Sequence, residues 1–283
     1  MQAFPPLDFP LKAFPASLPW AALAVAALLA VTFAVAVRQR RHSVMDIVWG
    51  PGFVVVAAVS WLLSAGHGDG GRRLLLLVLV AVWGLRLGVH IGVRARGGHE
   101  DPRYTAMLDG APGSRDVCAL RRVYLPQGIV LFFVSVTLQV GMFATAPLGW
   151  LALAGVLLWA VGFVFETVGD RQLAQFKADP ARRGTVLDTG LWRYTRHPNY
   201  FGDAAVWAGL FLVAADSWPG VLTVLSPALM IWTLAGKTGK PLTEKAMAGR
   251  PGYREYVEAT SGFLPWPPRT RRAATGTGTG RGQ

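Results

Sequence analysis

Residues 20–41 read Trp20-Ala-Ala-Leu-Ala-Val-Ala-Ala-Leu-Leu-Ala-Val-Thr-Phe-Ala-Val-Ala-Val37-Arg38-Gln39-Arg40-Arg41. An uncharged apolar run of this length is what one helix needs to cross a hydrocarbon core, roughly 20 residues at the helical rise. Only Lys12 precedes it, and three arginines follow at once. A cleaved leader places its cations ahead of the apolar stretch, so this run reads as a retained span. Comparable stretches recur at 46–65, 73–93, 124–145, 148–168, 199–215 and 218–236. The expected fold class is therefore all-α: a polytopic membrane helix bundle of about seven transmembrane helices. The sixth stretch is short and opens beside Pro198, which predicts a tilted or partly re-entrant helix.

Composition agrees. Apolar residues make up 52% of the 283 and charged residues 16%, against about 25% charged in an ordinary soluble domain. Apolar surface is too plentiful for a disordered chain. Cys118 is the only cysteine, which excludes a disulfide scaffold and a Cys-rich zinc site. His42, His67, His90, His99 and His197 have no ligand-like spacing, so no metal is expected.

The net charge of +12 is explained by topology rather than by nucleic-acid binding. Of the 28 Lys and Arg, 24 fall in residues 38–45, 94–123, 169–198 and the tail from 237. Lys12, Arg72 and Arg73 lie on the opposite side and Arg86 lies within a span. The positive-inside rule then places the N-terminus outside and the C-terminus in the cytoplasm. The division expected is an N-terminal segment 1–19, one transmembrane domain 20–268 and a disordered Thr-Gly-rich tail 269–283. The implied setting is a multi-pass protein of the cell membrane, with 94–123 and 169–198 as its two long cytoplasmic loops.

Ionisable groups inside spans are costly and mark functional sites. Asp46, Arg86, His90, Glu166, Asp170, His197, Asn199, Tyr200 and Asp203 all fall in the half expected to face the cytoplasm, which predicts a site entered from that side. Glu166 and Asp170 are four apart and share a helix face. The densest segment is Thr189-Gly-Leu-Trp-Arg-Tyr-Thr-Arg-His-Pro-Asn-Tyr-Phe-Gly-Asp203. Arg193 and Arg196 carry forked donors suited to phosphate. Pro198 suits the first position of a helix, with His197 as its cap and the positive helix end behind it. Arg171, Lys177, Arg182 and Arg183 lie just upstream, so a nucleotide cofactor is expected. Gly66, Gly68 and Gly71 match a dinucleotide fingerprint but follow no strand, so they read as a loop.

The run Gly190–Asp203 resembles the steroid 5-alpha-reductase-like membrane reductases, in particular the bacterial group called domain of unknown function 1295. Asp46-Ile-Val-Trp-Gly50, Trp83-Gly-Leu-Arg86, Arg96-Gly-Gly-His-Glu-Asp-Pro-Arg-Tyr104, Asp170-Arg-Gln-Leu173 and Arg250-Pro-Gly-Tyr-Arg-Glu-Tyr256 agree in order, over roughly residues 43–268. The resemblance implies an NADPH-dependent reductase of a carbon–carbon double bond in a lipophilic enone or sterol-like substrate. It implies cofactor contacts at Arg94, Arg96, Glu166, Asp170, Lys177, Tyr194, Asn199 and Asp203, to which the reading of the polar segment itself adds Arg196, His197 and Tyr200. The carbonyl partners of the steroid reductases are a second-helix Glu and a third-helix Tyr. Here Asp46 stands for the first. Trp83 stands where the second belongs, and an indole cannot act as a general acid. That leaves His90 or Tyr104 beside Asp46 as catalytic candidates. The alternative is an S-adenosylmethionine-dependent methyltransferase of the isoprenylcysteine or phospholipid type, which shares the Arg196-His-Pro-Asn-Tyr200 element and an acid such as Glu244. The partners expected are a lipophilic small molecule and the lipid bilayer; oligomeric state is not legible.

Overall fold

The computed structural model describes residues 9–97, 99–110, 113–237 and 239–269. Residues 1–8 of the expected N-terminal segment, and the expected tail apart from Arg269, lie outside the described residues. Among those described there is no strand. The helices are α1 (Ala13–Gln39), α2 (Val44–Leu63), α3 (Gly70–Arg94), α4 (Pro102–Leu108), α5 (Arg115–Phe143), α6 (Trp150–Ala178), α7 (Pro198–Ala215), α8 (Leu225–Trp232), α9 (Lys240–Met247) and α10 (Tyr253–Ala259). Among the described residues six helical runs are long and apolar enough to cross a membrane: α1, α2, α5, α6, Gly70–Gly97 and Trp218–Met247. The remaining expected span, 199–215, coincides with α7.

Two expected loops are shorter than the sequence suggests. α5 begins at Arg115, well before the apolar stretch at 124, and α6 runs on to Ala178. Arginine and lysine are good helix formers, so the helices continue past the point where polarity rises. Hydropathy marks where an apolar run ends, not where a helix ends.

The chain divides into two compact units. One comprises Met1–Ala160 with Ala205–Ile231, the other Val161–Ala204 with Trp232–Gln283. In the first, α2 and α3 pack most intimately. Helices in an apolar solvent gain little from burying apolar side chains and associate by close backbone contact instead. Gly84 and Gly88, one turn apart on α3, provide that contact. A Cβ at Gly50 would collide with the Gly84 carbonyl oxygen, and one at Gly88 would meet the Pro51 ring at 2.7 Å. Gly50→Ala is therefore expected to destabilise the protein by about 1–3 kcal/mol through overpacking. Gly70→Ala, with open space around its Cβ position, is expected to stay within about 0.5 kcal/mol. Thermal unfolding of the two variants in detergent checks the contrast.

Above this crossing Phe53, Trp83 and Trp207 form a buried aromatic cluster, with ring centroids 4.6 to 5.9 Å apart. At the other end of α3 the structure holds an ion pair that the sequence reading counted as loop charge. Arg72 is fully buried. Its guanidinium donates to the carbonyls of Val213, Ala146 and Pro147 and to the Asp216 carboxylate. Gly68, read as part of a loop, packs so closely on the Met142 carbonyl that no side chain fits there.

In the second unit α6 and α7 meet by the same device. A Cβ at Gly202 would collide with the backbone of Glu166, and one at Gly169 would press on Pro198. Residues 192–196 are strapped to the chain after α9. The Tyr256 hydroxyl donates to the Trp192 carbonyl at 2.6 Å and Thr195 Oγ1 donates to Phe263 O at 2.8 Å. Arg196 N donates to Ser261 O, and Trp266 N to Tyr194 O. Tyr253 and Tyr256 are both buried, so they pack rather than lie free.

Candidate functional site

Two clusters hold the chemistry-bearing side chains, one in each unit. In the second unit the helix periodicity of α6 places Glu166 and Asp170 on one face, and the Gly202 and Gly169 contacts bring the start of α7 onto it. Asn199 Nδ2 donates to Asp170 Oδ1 at 3.2 Å. Glu166, Asp170, His197 and Asp203 are all less than a tenth exposed. Buried groups of this kind carry a large desolvation cost unless each is bonded.

Pro198 opens α7 as expected, and the His197 carbonyl accepts the first helical bond, from Phe201 N. The side chains of Arg196 and His197 turn to Glu244. Arg196 Nε and Nη2 approach Glu244 Oε1 at 2.9 and 2.8 Å, and Nη1 donates to the carbonyls of Thr260 and Val257. His197 Nε2 lies 3.2 Å from the same oxygen, and its ring stacks on Tyr200. Tyr200 Oη is 3.3 Å from Thr243 Oγ1. Burial pushes the His197 pKa down to about 4, against the pull of Glu244 and with help from Arg196 and Lys240. His197 is thus neutral at pH 7 and adds no positive charge. Arg196 is committed to three protein acceptors.

Cations for a phosphate are found elsewhere in this unit. Arg171, Lys177, Arg183, Arg193 and the Tyr194 ring are exposed. The turn that presents Arg193 depends on Gly190, whose φ is +61° and whose missing Cβ leaves room for Gln172. The Gln172 Oε1 in turn accepts from Leu191 N at 3.0 Å.

In the first unit the catalytic candidates Asp46 and Tyr104 are in contact. Tyr104 Oη donates to Asp46 Oδ1 at 2.6 Å, and Arg103 Nη2 donates to Asp46 Oδ2 at 2.8 Å. Burial, then the Asp46 charge, raises the Tyr104 pKa well above the ordinary phenol value. The phenol therefore keeps its proton and presents it to Asp46. His90 is half-buried on α3, and Arg94 and Arg96 are exposed where that helix ends.

Sequence reading missed Glu100. It accepts from the backbone N–H groups of His42 and Ser43 at 2.7 and 2.8 Å, at the start of α2. Burial pushes its carboxyl up, but the bonds from Ser43, His42 and Asp101 outweigh this and hold it below the usual range. A carboxylate at a helix N-terminus is the expected complement to unpaired N–H groups. With Tyr104 and Arg103, it fastens residues 100–104 to residues 42–46. An apolar groove on α1 and α2, lined by Trp20, Leu23, Val59 and Leu62 among others, carries no side chain able to orient a polar substrate. Among the described residues no group of three or more His, Cys, Asp or Glu could hold a metal ion.

These features define an all-helical protein with membrane-spanning helices and two polar clusters, one buried and one partly exposed. A family described as protein of unknown function (DUF1295) matches residues 32–260, and the chain belongs to that family. No curated protein and no solved structure matches it.

Proposed function

We propose that the protein is an NADPH-dependent reductase of a carbon–carbon double bond in a lipophilic enone or sterol-like substrate. In this reading it lies in the cell membrane with its N-terminus outside and with its C-terminus and active site on the cytoplasmic side. The side on which 24 of the 28 cations fall supports that orientation.

The observation that carries the reading is the grouping of buried Glu166, Asp170 and Asp203 with half-buried Asn199, on a unit that also exposes Arg171, Lys177 and Arg193. The donor set fits a pyridine nucleotide. Carboxylates and the Asn amide suit ribose hydroxyls and a carboxamide, and the exposed cations suit the phosphates, including the extra one that distinguishes NADPH. Tyr194 offers a ring for stacking. NADPH, when bound, supplies a hydride. The second unit orients it; in the first unit the Tyr104–Asp46 pair holds a proton. Arg196, His197 and Tyr200 support the cradle by fixing the start of α7. A membrane setting suits a substrate that partitions into lipid.

One observation favours the second reading, a methyltransferase using S-adenosylmethionine. Arg196 and His197 converge on Glu244, so the shared Arg-His-Pro element and its acid are in contact.

Thermal stability of the detergent-purified protein with NADPH, NADH or S-adenosylmethionine separates the two. A ligand at 100 times its Kd stabilises the folded state by about 2.7 kcal/mol. NADPH is expected to raise the melting temperature, and Asn199→Ala is expected to abolish the rise by removing the amide that pairs with Asp170. A response to S-adenosylmethionine alone overturns the reductase reading.

A further inference from the structure

His42 and Tyr124 are among the most buried side chains of the first unit, each 1% exposed. They pack edge to face with ring centroids 5.9 Å apart, and Phe33 contacts both rings. The imidazole is held from one side. Asp116, 44% exposed, accepts from His42 Nε2 at 3.0 Å. A carboxylate there keeps the proton on Nε2, so Nδ1 of the neutral ring carries the lone pair. Among the described residues, no protein group pairs with His42 Nδ1 or with Tyr124 Oη.

Tyr124 and Tyr104 belong to the same buried cluster, with Met45, Leu108 and Cys118. Their hydroxyls differ. Tyr104 has committed its proton to Asp46; Tyr124 has committed its proton to no described protein atom. Its position is also unusual. Leu120–Tyr124 is a π turn, closed by Leu125 N donating to Leu120 O. Pro126 lacks the N–H that would continue the ordinary ladder, and single π turns inside α-helices recur at functional sites. A buried donor and a buried acceptor on adjacent rings, each costly to leave unmet, complement a group that both accepts and donates. A carbonyl cannot do both; a hydroxyl can.

We propose that His42 and Tyr124 hold one hydroxyl of a lipophilic ligand. The hydroxyl accepts from Tyr124 Oη–H and donates to His42 Nδ1, and Asp116 is the positioning residue that keeps Nδ1 free to accept. The proposal gives the sterol-like substrate class a hydroxyl, and it rests on the reading above only for the ligand's apolar body.

The test uses the full chain in a zwitterionic detergent without hydroxyls, with no nucleotide present. The probes are cholestanol and its 3-methyl ether, which keeps the oxygen but cannot donate. The wild type is expected to bind the alcohol about tenfold more tightly, the worth of one hydrogen bond. Tyr124→Phe should weaken both probes and keep the preference, because either oxygen accepts from the phenol, and Asp116→Asn should reduce the preference without changing ether binding. Ligand-free Tyr124→Phe should melt at or above the wild-type temperature, because the deleted oxygen has no protein partner. A lower melting temperature means that the phenol has a permanent partner, such as a bound water or His42 itself, and overturns the proposal. So does a wild type that does not distinguish alcohol from ether. Because no nucleotide enters the test, a failed NADPH response counts against the reductase reading and leaves these outcomes intact.

Discussion

Arg72→Ala is expected to destabilise the protein by about 3–5 kcal/mol, the range for removing one partner of a buried ion pair. The guanidinium is fully buried, and Asp216 is 7% exposed in its side chain. Loss of the cation strands that carboxylate and leaves the carbonyls of Ala146, Pro147 and Val213 without their donor. Asp216 also accepts from Gly149 N, so the damage reaches the start of α6. Arg72→Lys should recover only part of the loss, because an ammonium cannot present the planar fork that serves acceptors in several directions. Arg254→Ala is the control. That residue pairs with Glu258 at 89% exposure, and such pairs contribute about 0–1 kcal/mol. Thermal unfolding in detergent measures all three; an Arg72→Ala variant as stable as Arg254→Ala would sink the account.

Glu244→Ala should cost about 2–3 kcal/mol, less than Arg72 because Glu244 is 26% exposed in its side chain. Arg196 would keep its carbonyl partners and lose the Glu244 carboxylate. The strap between residues 192–196 and 256–266 would loosen with it, so limited proteolysis should cut sooner between residues 240 and 269. His197 adds a pH dependence. Its ordinary pKa of 6.5 is lowered to about 4, chiefly by burial. Between those values the unfolded chain binds a proton that the folded chain does not. Stability from this group is therefore full above about pH 6.5, declines as pH falls, and is lost by about pH 4. His197→Asn should flatten that part of the profile.

The helical class was legible because apolar runs of membrane length have few other uses. Six of the seven expected spans coincide with helices long and apolar enough to cross a membrane. The Glu166–Asp170 face was legible from a spacing of four. Proline at the start of α7 was legible because its ring suits that position. Helix ends were not, since hydropathy follows polarity and Arg115 and Lys177 extend helices past the apolar stretch. The close approach at Gly84 and Gly88 was not legible, because their partners Gly50 and Pro51 lie on another helix.

By itself the sequence determined that the chain is apolar, helical and asymmetric in charge, because those properties belong to each segment and need no partner. Only the tertiary structure decided which polar groups meet. Arg72 and Asp216 are 144 residues apart, Asp46 and Tyr104 58, and Arg196 and Glu244 48. A periodicity reports what lies within a few turns of one helix. Pairings at those separations depend on how helices pack, and in this chain the packing is set by glycines whose importance lies in what touches them.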